Sequence, residues 1–321
     1  MTPLRLVFMG TAPLAAASLD ALLKEPAFAV TAVVSQPDRP KGRDLKLQPS
    51  AVKELALQHH LPVLQPEKAR DPAFIEELRA LQPDLIVVAA YGQILPVAIL
   101  ELPRFRCVNV HASLLPKYRG AAPIQWAILN GDPETGVTIM QVEAGLDTGP
   151  MLGRVVTPIR PEDNAQTLHD RLATLGAELL VLTIPEYVAG RITPDPQPAE
   201  GACYARKITK EDGRIDWSLP ARTLWNRLRG LTPWPGTFTF LPAEPRPLLL
   251  KIWEAVPLEK SGGVPGKILH VDKAGLTVGC GDGALLVQTV QLEGGRRQSV
   301  REFLAGHELR PKQHFVFSAE I

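Results

Sequence analysis

The sequence predicts an α/β protein in two parts: a doubly wound parallel sheet flanked by helices, followed by a small OB-like β-barrel. Three observations lead there. Over the first 190 residues, short apolar runs alternate with helix-like segments and short loops, as in a sheet covered on both faces. After a cluster of prolines the pattern changes to many short strands, some separated by glycine-rich turns. The 321 residues, at ~150 per domain, leave room for about two cores.

The elements follow in order. Residues 4–9 form a buried strand closed by Gly10 and Thr11, and a helix covers about 14–24. A strand near 30–34, a helix near 50–59, a short strand at 61–64 and a helix over 72–81 come next. Residues 84–90 are a continuous apolar strand, the pattern of a strand buried on both faces. Strands at 107–111 and 136–142 and a long helix over about 164–189 complete the first half. Pro194, Pro196 and Pro198 read as a linker. The chain thus divides into a domain over 1–190, a linker over 191–208 and a second domain over 209–321. In the second domain strands are expected at 236–240, 248–256, 267–272, 276–280 and 284–292. A helix at about 220–231, capped by Ser218, precedes them, and another covers 300–305.

Composition narrows the function classes. Hydrophobic residues at 45% and charged residues at 21% argue against a disordered, collagen-like or coiled-coil chain. Cys107, Cys203 and Cys280 are widely spaced and form no CxxC, so neither a disulfide framework nor a Cys-based zinc site is expected. The remaining histidines lack ligand spacing, and no metal is expected. The amino terminus enters a strand at once and no apolar run reaches ~18 residues, so the chain reads as cytoplasmic without a membrane span. Nothing in the sequence requires an oligomer. The net charge of +1 conceals an asymmetry. Residues 1–205 hold 18 basic and 22 acidic groups (18 − 22 = −4), and the rest hold 17 and 12 (17 − 12 = +5). A basic barrel beside an acidic α/β domain suits a nucleic-acid partner, and equally a solvated face.

The chemistry-bearing residues cluster near strand ends. The turn Gly10-Thr11-Ala12-Pro13 lacks the GxGxxG spacing, and no GxxxxGK[ST] occurs, which disfavours nicotinamide chemistry and P-loop phosphoryl transfer. Asn109 and His111 are two apart in a strand and share a face near its carboxyl end, where open α/β sheets border their ligand crevice. Histidine is the usual neutral-pH base, and an asparagine amide can donate to a developing oxyanion. The same pair could be structural. Asp147, flanked by Gly145 and Gly149, could orient His111 or take a proton through water, or simply form a turn. The loop from Ser113 to Gly120 could grip a ligand through its backbone. Together these residues point to group transfer or hydrolysis at a carbonyl-like centre. Arg39, Lys41, Arg43 and Lys46, against Asp38 and Asp44, read as a mobile loop that is either merely exposed or a phosphate-contacting arm.

The run from Asn109 through Ser113-Leu114-Leu115-Pro116-Lys117-Tyr118-Arg119-Gly120 to Gln125, with Gly145-Leu146-Asp147-Thr148-Gly149, resembles the folate-dependent formyltransferases. The likeness covers nearly the whole chain. It implies a Rossmann-like formyltransferase domain and an OB-like tRNA-binding domain. It further implies transfer of a formyl group from 10-formyltetrahydrofolate, a co-substrate, to the amino group of methionine on initiator methionyl-tRNA, for the start of translation. Asn109, His111 and Asp147 match the family's catalytic trio, and Ser113, Leu114, Leu115 and Pro116 its folate-contacting segment. The loop carrying Arg39, Lys41, Arg43 and Lys46 looks like the tRNA-contacting insertion. Arg206 and Lys207 begin the stretch that looks like the start of the C-terminal domain and count with the tRNA contacts. Leu14 stands where the family commonly has an aromatic near the substrate amino acid. Sugar-nucleotide formyltransferases share the 113–120 region, but Ala121-Ala122-Pro123-Ile124-Gln125 and the basic loop favour tRNA. Glycinamide ribonucleotide formyltransferases typically lack such a second domain. A hydrolase would use water as acceptor, and a tRNA-binding module with a dead site would not need the retained trio.

Overall fold

The computed structural model describes residues 2–41, 46–259, 263–307 and 309–316. It groups into two compact units, one of Met1–Pro123, Glu134–Pro158 and Leu168–Arg206, the other of Ile124–Pro133, Ile159–Thr167 and Lys207–Ile321. To residue 206 the order is β1 (Leu4–Gly10), α1 (Pro13–Lys24), β2 (Phe28–Val34), β3 (Arg39–Lys41), β4 (Lys46–Gln48), α2 (Ala51–Gln58), β5 (Val63–Leu64), α3 (Pro72–Ala80) and β6 (Leu85–Ala89). Then come α4 (Val97–Leu100), β7 (Cys107–His111), β8 (Arg119–Gly120), α5 (Pro123–Leu129), β9 (Glu134–Gln141), β10 (Met151–Pro158), α6 (Ala165–Val188) and β11 (Tyr204–Ala205).

The first unit is built on a seven-stranded sheet of order β10-β9-β7-β6-β1-β2-β5. From β5 to β7 neighbours are parallel, while β9 runs antiparallel to β7 and β10 to β9. Every residue of β6 is buried, as are Leu6 to Met9 of β1, which is why these strands read as unbroken apolar runs. Each of these side chains from Val upward in size contributes about 1.5–3 kcal/mol on burial. The chain winds outward from β1 through β2 to β5, then returns to the other side of β1 at β6. This reversal opens a crevice beyond the carboxyl ends of β1 and β6.

Two segments differ in character from a loose connection. β3 and β4 pair as an antiparallel hairpin, and at its base Asp38 forms an ion pair with Lys53 at 2.7 Å. Arg43 lies outside the described residues. The proline cluster is seated on the first unit: Met151 and Asp195 exchange backbone hydrogen bonds of 2.7 and 2.9 Å, and β11 pairs in parallel with β8.

The second unit continues with α7 (Ala221–Gly230), β12 (Thr237–Leu241), β13 (Leu248–Leu258), β14 (Ile268–Val271), β15 (Leu276–Gly279), β16 (Ala284–Leu292), β17 (Gln298–Ser299) and α8 (Val300–Leu304). Its antiparallel sheet has the order β12-β13-β16-β15-β14, with β17 on β16. The carboxyl-terminal segment bridges the two edges. Phe315 N donates to Gly266 O at 2.9 Å and Lys312 N to Ile268 O at 2.9 Å beside β14, and Val316 N donates to Phe240 O at 3.0 Å on β12. Trp217, 1% exposed, stacks on Phe315 with ring centroids 5.4 Å apart, and its indole N–H donates to Thr239 Oγ1 at 3.0 Å. The expected Ser218 cap is corrected: α7 has Pro220 at its N-cap position, with no side-chain cap, and Ser218 Oγ instead donates to Asp216 Oδ1 at 2.6 Å. The Ala221 N–H is satisfied by the Asp282 carbonyl at 2.8 Å, so that helix donor needs no hydroxyl. Among the described residues, no helix is long and apolar enough to cross a membrane, and no group of three or more His, Cys, Asp or Glu could hold a metal ion.

Candidate active site

The site is carried by the end of β7 and the loops beside it, all within the first unit. Asn109 pairs in register with Val88 of β6 and Met140 of β9, and His111 with Thr138 of β9. Asn109 is half-buried, and among the described residues its side-chain amide has no hydrogen-bond partner. A partly desolvated amide donor in this state is ready for a ligand oxygen.

His111 is buried, and its Nε2 lies 3.0 Å from the Tyr118 carbonyl oxygen. A carbonyl only accepts, so Nε2 carries the hydrogen and donates it. Nδ1 is left facing Asp147 Oδ2 at 3.8 Å, beyond hydrogen-bond length but within ion-pair range. Asp147 Oδ2 also accepts from the Gly120 N–H at 2.8 Å. The Asp147 backbone is left-handed, at φ +51°, a conformation that aspartate tolerates better than most side chains. Two carbonyls of its turn, those of Asp147 and Gly149, accept from Gln197 Nε2 at 2.8 and 2.7 Å. Gly149 is required by space, since a Cβ there would stand 2.0 Å from the Gln141 carbonyl oxygen.

The segment from Ser113 to Pro116 divides by burial. Ser113 and Leu115 face inward, 0% and 2% exposed, and Leu115 packs with Met140 and Met151. Leu114 and Pro116 are half-buried. Ser113 Oγ donates to the Lys117 carbonyl at 2.6 Å. The buried Thr138 hydroxyl donates to the Ser113 carbonyl at 2.7 Å and accepts from the Leu115 N–H at 3.2 Å. One side chain of β9 therefore fixes the loop that follows β7.

A second network lies at the sheet reversal. Thr11 Oγ1 donates to the Tyr91 carbonyl at 3.2 Å and accepts from the Gln36 N–H at 3.3 Å, while Gln36 Nε2 donates to the same carbonyl at 2.8 Å. These bonds tie together the residues that follow β1, β2 and β6. Gly10 permits the tight approach here: a Cβ would meet the Ala15 Cβ at 2.7 Å and the Ala89 carbonyl oxygen at 2.9 Å. Burial pushes the Tyr91 phenol up to about 12, so it stays protonated at neutral pH. Leu14, on α1, is buried.

The other sequence-expected residues are Arg39, Lys41, Lys46, Arg206 and Lys207. Arg39 is exposed at the start of β3, and Lys41 and Lys46 are paired backbone positions of the hairpin. Arg206 and Lys207 are exposed, the last residue of the first unit's final segment and the first of the second unit's. Sequence reasoning passed over Gln197, Thr138, the Gly120 N–H and the Tyr118 carbonyl. Thr138 is a polar residue in the mostly apolar centre of β9, and the sequence marks the 113–120 loop only as a backbone that could grip a ligand.

An unpaired amide, an imidazole with one fixed nitrogen and a carboxylate 3.8 Å from the other can stabilise an oxyanion and move a proton at a carbonyl. The chain matches the family described as "Formyl transferase" over residues 4–184 and that described as "Formyl transferase, C-terminal domain" over 207–308. A methionyl-tRNA formyltransferase of Trichlorobacter lovleyi is 52% identical over 309 residues, 96% of each chain. One from Stutzerimonas stutzeri is 54% identical over 294 residues, 92% of each chain. Among solved structures, the N-formyltransferase of Helicobacter canadensis with folinic acid and dTDP-3-aminofucose superposes with a TM-score of 0.63 at 19% identity, over 89% of this chain and 99% of that one. HypX of Aquifex aeolicus with tetrahydrofolic acid superposes with a TM-score of 0.59 at 17% identity, over 98% of this chain, which spans 51% of HypX.

Proposed function

The chain belongs to the formyl transferase family, and from that premise we propose that Asn109, His111 and Asp147 carry out formyl transfer from 10-formyltetrahydrofolate to the amino group of methionine on initiator tRNA. Support for this acceptor comes from relatives that are about half identical over nearly the full length and are named methionyl-tRNA formyltransferases. The folate would enter the crevice beyond β1, β6 and β7, with Leu114, Pro116 and the backbone of 113–116 along it. The exposed Arg39, with Lys41, Arg43 and Lys46, and Arg206 and Lys207 would meet tRNA phosphates. The catalytic domain spans 1–190 and the OB-like domain 209–321, joined by 191–208, and the enzyme works in the cytoplasm where its charged tRNA is found.

The reaction follows from the groups present. The methionine amine attacks the formyl carbon, and the carbonyl oxygen becomes a tetrahedral oxyanion. The Asn109 amide donates to that oxygen. The proton shed by the amine passes to Asp147, directly or through water, beside His111, whose ring is fixed by the Tyr118 carbonyl. Collapse of the intermediate expels N10 of tetrahydrofolate, which takes up the proton held by Asp147, directly or through water, and so restores the carboxylate. The gap of 3.8 Å between His111 and Asp147 is of the kind that closes, or fills with water, when substrate binds.

The observation that carries this reading is the Asn109 amide, without a hydrogen-bond partner among the described residues, on the strand that ends at His111, which faces Asp147. The test is a competition assay in which 10-formyltetrahydrofolate is offered methionyl-tRNA and a 4-amino sugar nucleotide together. Formyl label on the tRNA is expected. Label on the sugar, or release of formate without acceptor, would replace this reading with a sugar formyltransferase or a hydrolase.

A further inference from the structure

Gln197 lies in the proline-rich stretch that sequence reasoning treats as a connector. From residue 195 to 200 it is the one residue that is not exposed. Its amide nitrogen donates to the carbonyls of Asp147 and Gly149 at 2.8 and 2.7 Å, spanning the turn that presents the Asp147 carboxylate. Its amide oxygen accepts from Arg119 Nε at 3.0 Å and Nη2 at 2.7 Å. Arg119 is anchored in turn, its backbone N–H donating to the Cys203 carbonyl at 2.9 Å and its strand β8 pairing with β11. The segment 195–205 is thus a strap fixed at Asp195, Gln197, Cys203 and β11.

We propose that Gln197 is a positioning residue for formyl transfer, holding the Asp147 turn so that the carboxylate stays aligned with His111 and the substrate amine. The proposal rests on the catalytic reading of Asp147 given above. Only a side-chain amide meets all the geometric demands, with two N–H donors for two converging carbonyls and an acceptor for the Arg119 fork. A glutamate of the same shape would keep the Arg119 contact but set an oxygen against two carbonyl oxygens. Without Gln197, the Gly120 N–H still donates to the Asp147 carboxylate, but the backbone carbonyls of Asp147 and Gly149 lose the donor that spans the turn.

The test is a kinetic double-mutant cycle on the full chain. Gln197→Ala should lower kcat by about 10- to 100-fold, as misplacement of a reacting group does, with KM for both substrates within about twofold. Gln197→Glu, which keeps the side-chain volume, should be at least as impaired and supplies the reading if the alanine variant fails to fold. In an Asp147→Ala background the Gln197→Ala change should cost nothing further, because its effect acts through the absent carboxylate. A full kcat in Gln197→Glu, or losses that multiply in the double variant, would overturn the positioning role. If instead Asp147→Ala alone left kcat intact, the catalytic reading of Asp147 would fail first, so the two failures are distinguishable.

Discussion

Thr138→Val separates the hydroxyl of Thr138 from its shape. Valine keeps the methyl packing of a fully buried residue and removes the oxygen that serves both Ser113 and Leu115. Two buried backbone groups, the Leu115 N–H and the Ser113 carbonyl, then lose their side-chain partner. Leaving a buried group unsatisfied costs about 1–3 kcal/mol, so the pair should cost about 2–6 kcal/mol of local stability. The chain holds two compact units, so a global melt need not be two-state. Amide hydrogen exchange at Leu115 reads the site directly, and its protection should fall by that amount, while Thr138→Ser should retain it. KM for 10-formyltetrahydrofolate should rise in the valine variant, since Leu114 and Pro116 ride on the loosened loop. Unchanged Leu115 protection in Thr138→Val would refute the idea that this hydroxyl holds the segment.

Other perturbations test other parts of the account. Trp217→Ala removes a buried ring that stacks on the closing segment of the second unit, and should lower that unit's stability by about 3–5 kcal/mol in near-ultraviolet circular dichroism melts. Burial pushes the Cys107 and Cys280 thiols up to about 12, so at pH 8 the native chain should release one fast equivalent with a thiol reagent, from Cys203. The same shifts stabilise the fold below about pH 9, and that contribution should fade as pH rises from the ordinary thiol value of 9.0 toward about 12, because the unfolded thiols ionise first. The KM for tRNA should climb with salt while that for the folate stays nearly flat, and Arg39→Glu should raise the tRNA KM and reduce its salt dependence.

The parallel core was legible because burial on both faces leaves unbroken apolar runs such as Leu85 to Ala89. Asn109 and His111 stood out because a two-residue spacing in a strand places polar groups on one face, and Asp147 because glycines flank it. β10 was not legible: Gly153, Arg154 and Pro158 interrupt its pattern on an edge strand whose outer residues meet solvent. The two-residue strands β8 and β11 are too short to carry a period, yet they pin the strap. Ser218 misled because a local capping pattern cannot reveal a distant carbonyl, that of Asp282, which took the helix donor instead. Gln197 was invisible for the same reason, since its partners lie 48 and 50 residues away in sequence.

The most direct measurement of the central claim is the kinetics of Asn109→Ala with 10-formyltetrahydrofolate and methionyl-tRNA. Loss of one oxyanion donor in comparable chemistry costs about 2.7–4 kcal/mol of barrier, so kcat should fall by about 10²- to 10³-fold. The KM for tRNA should stay within about twofold, because the lost bond forms chiefly in the transition state. An unchanged kcat would contradict the account.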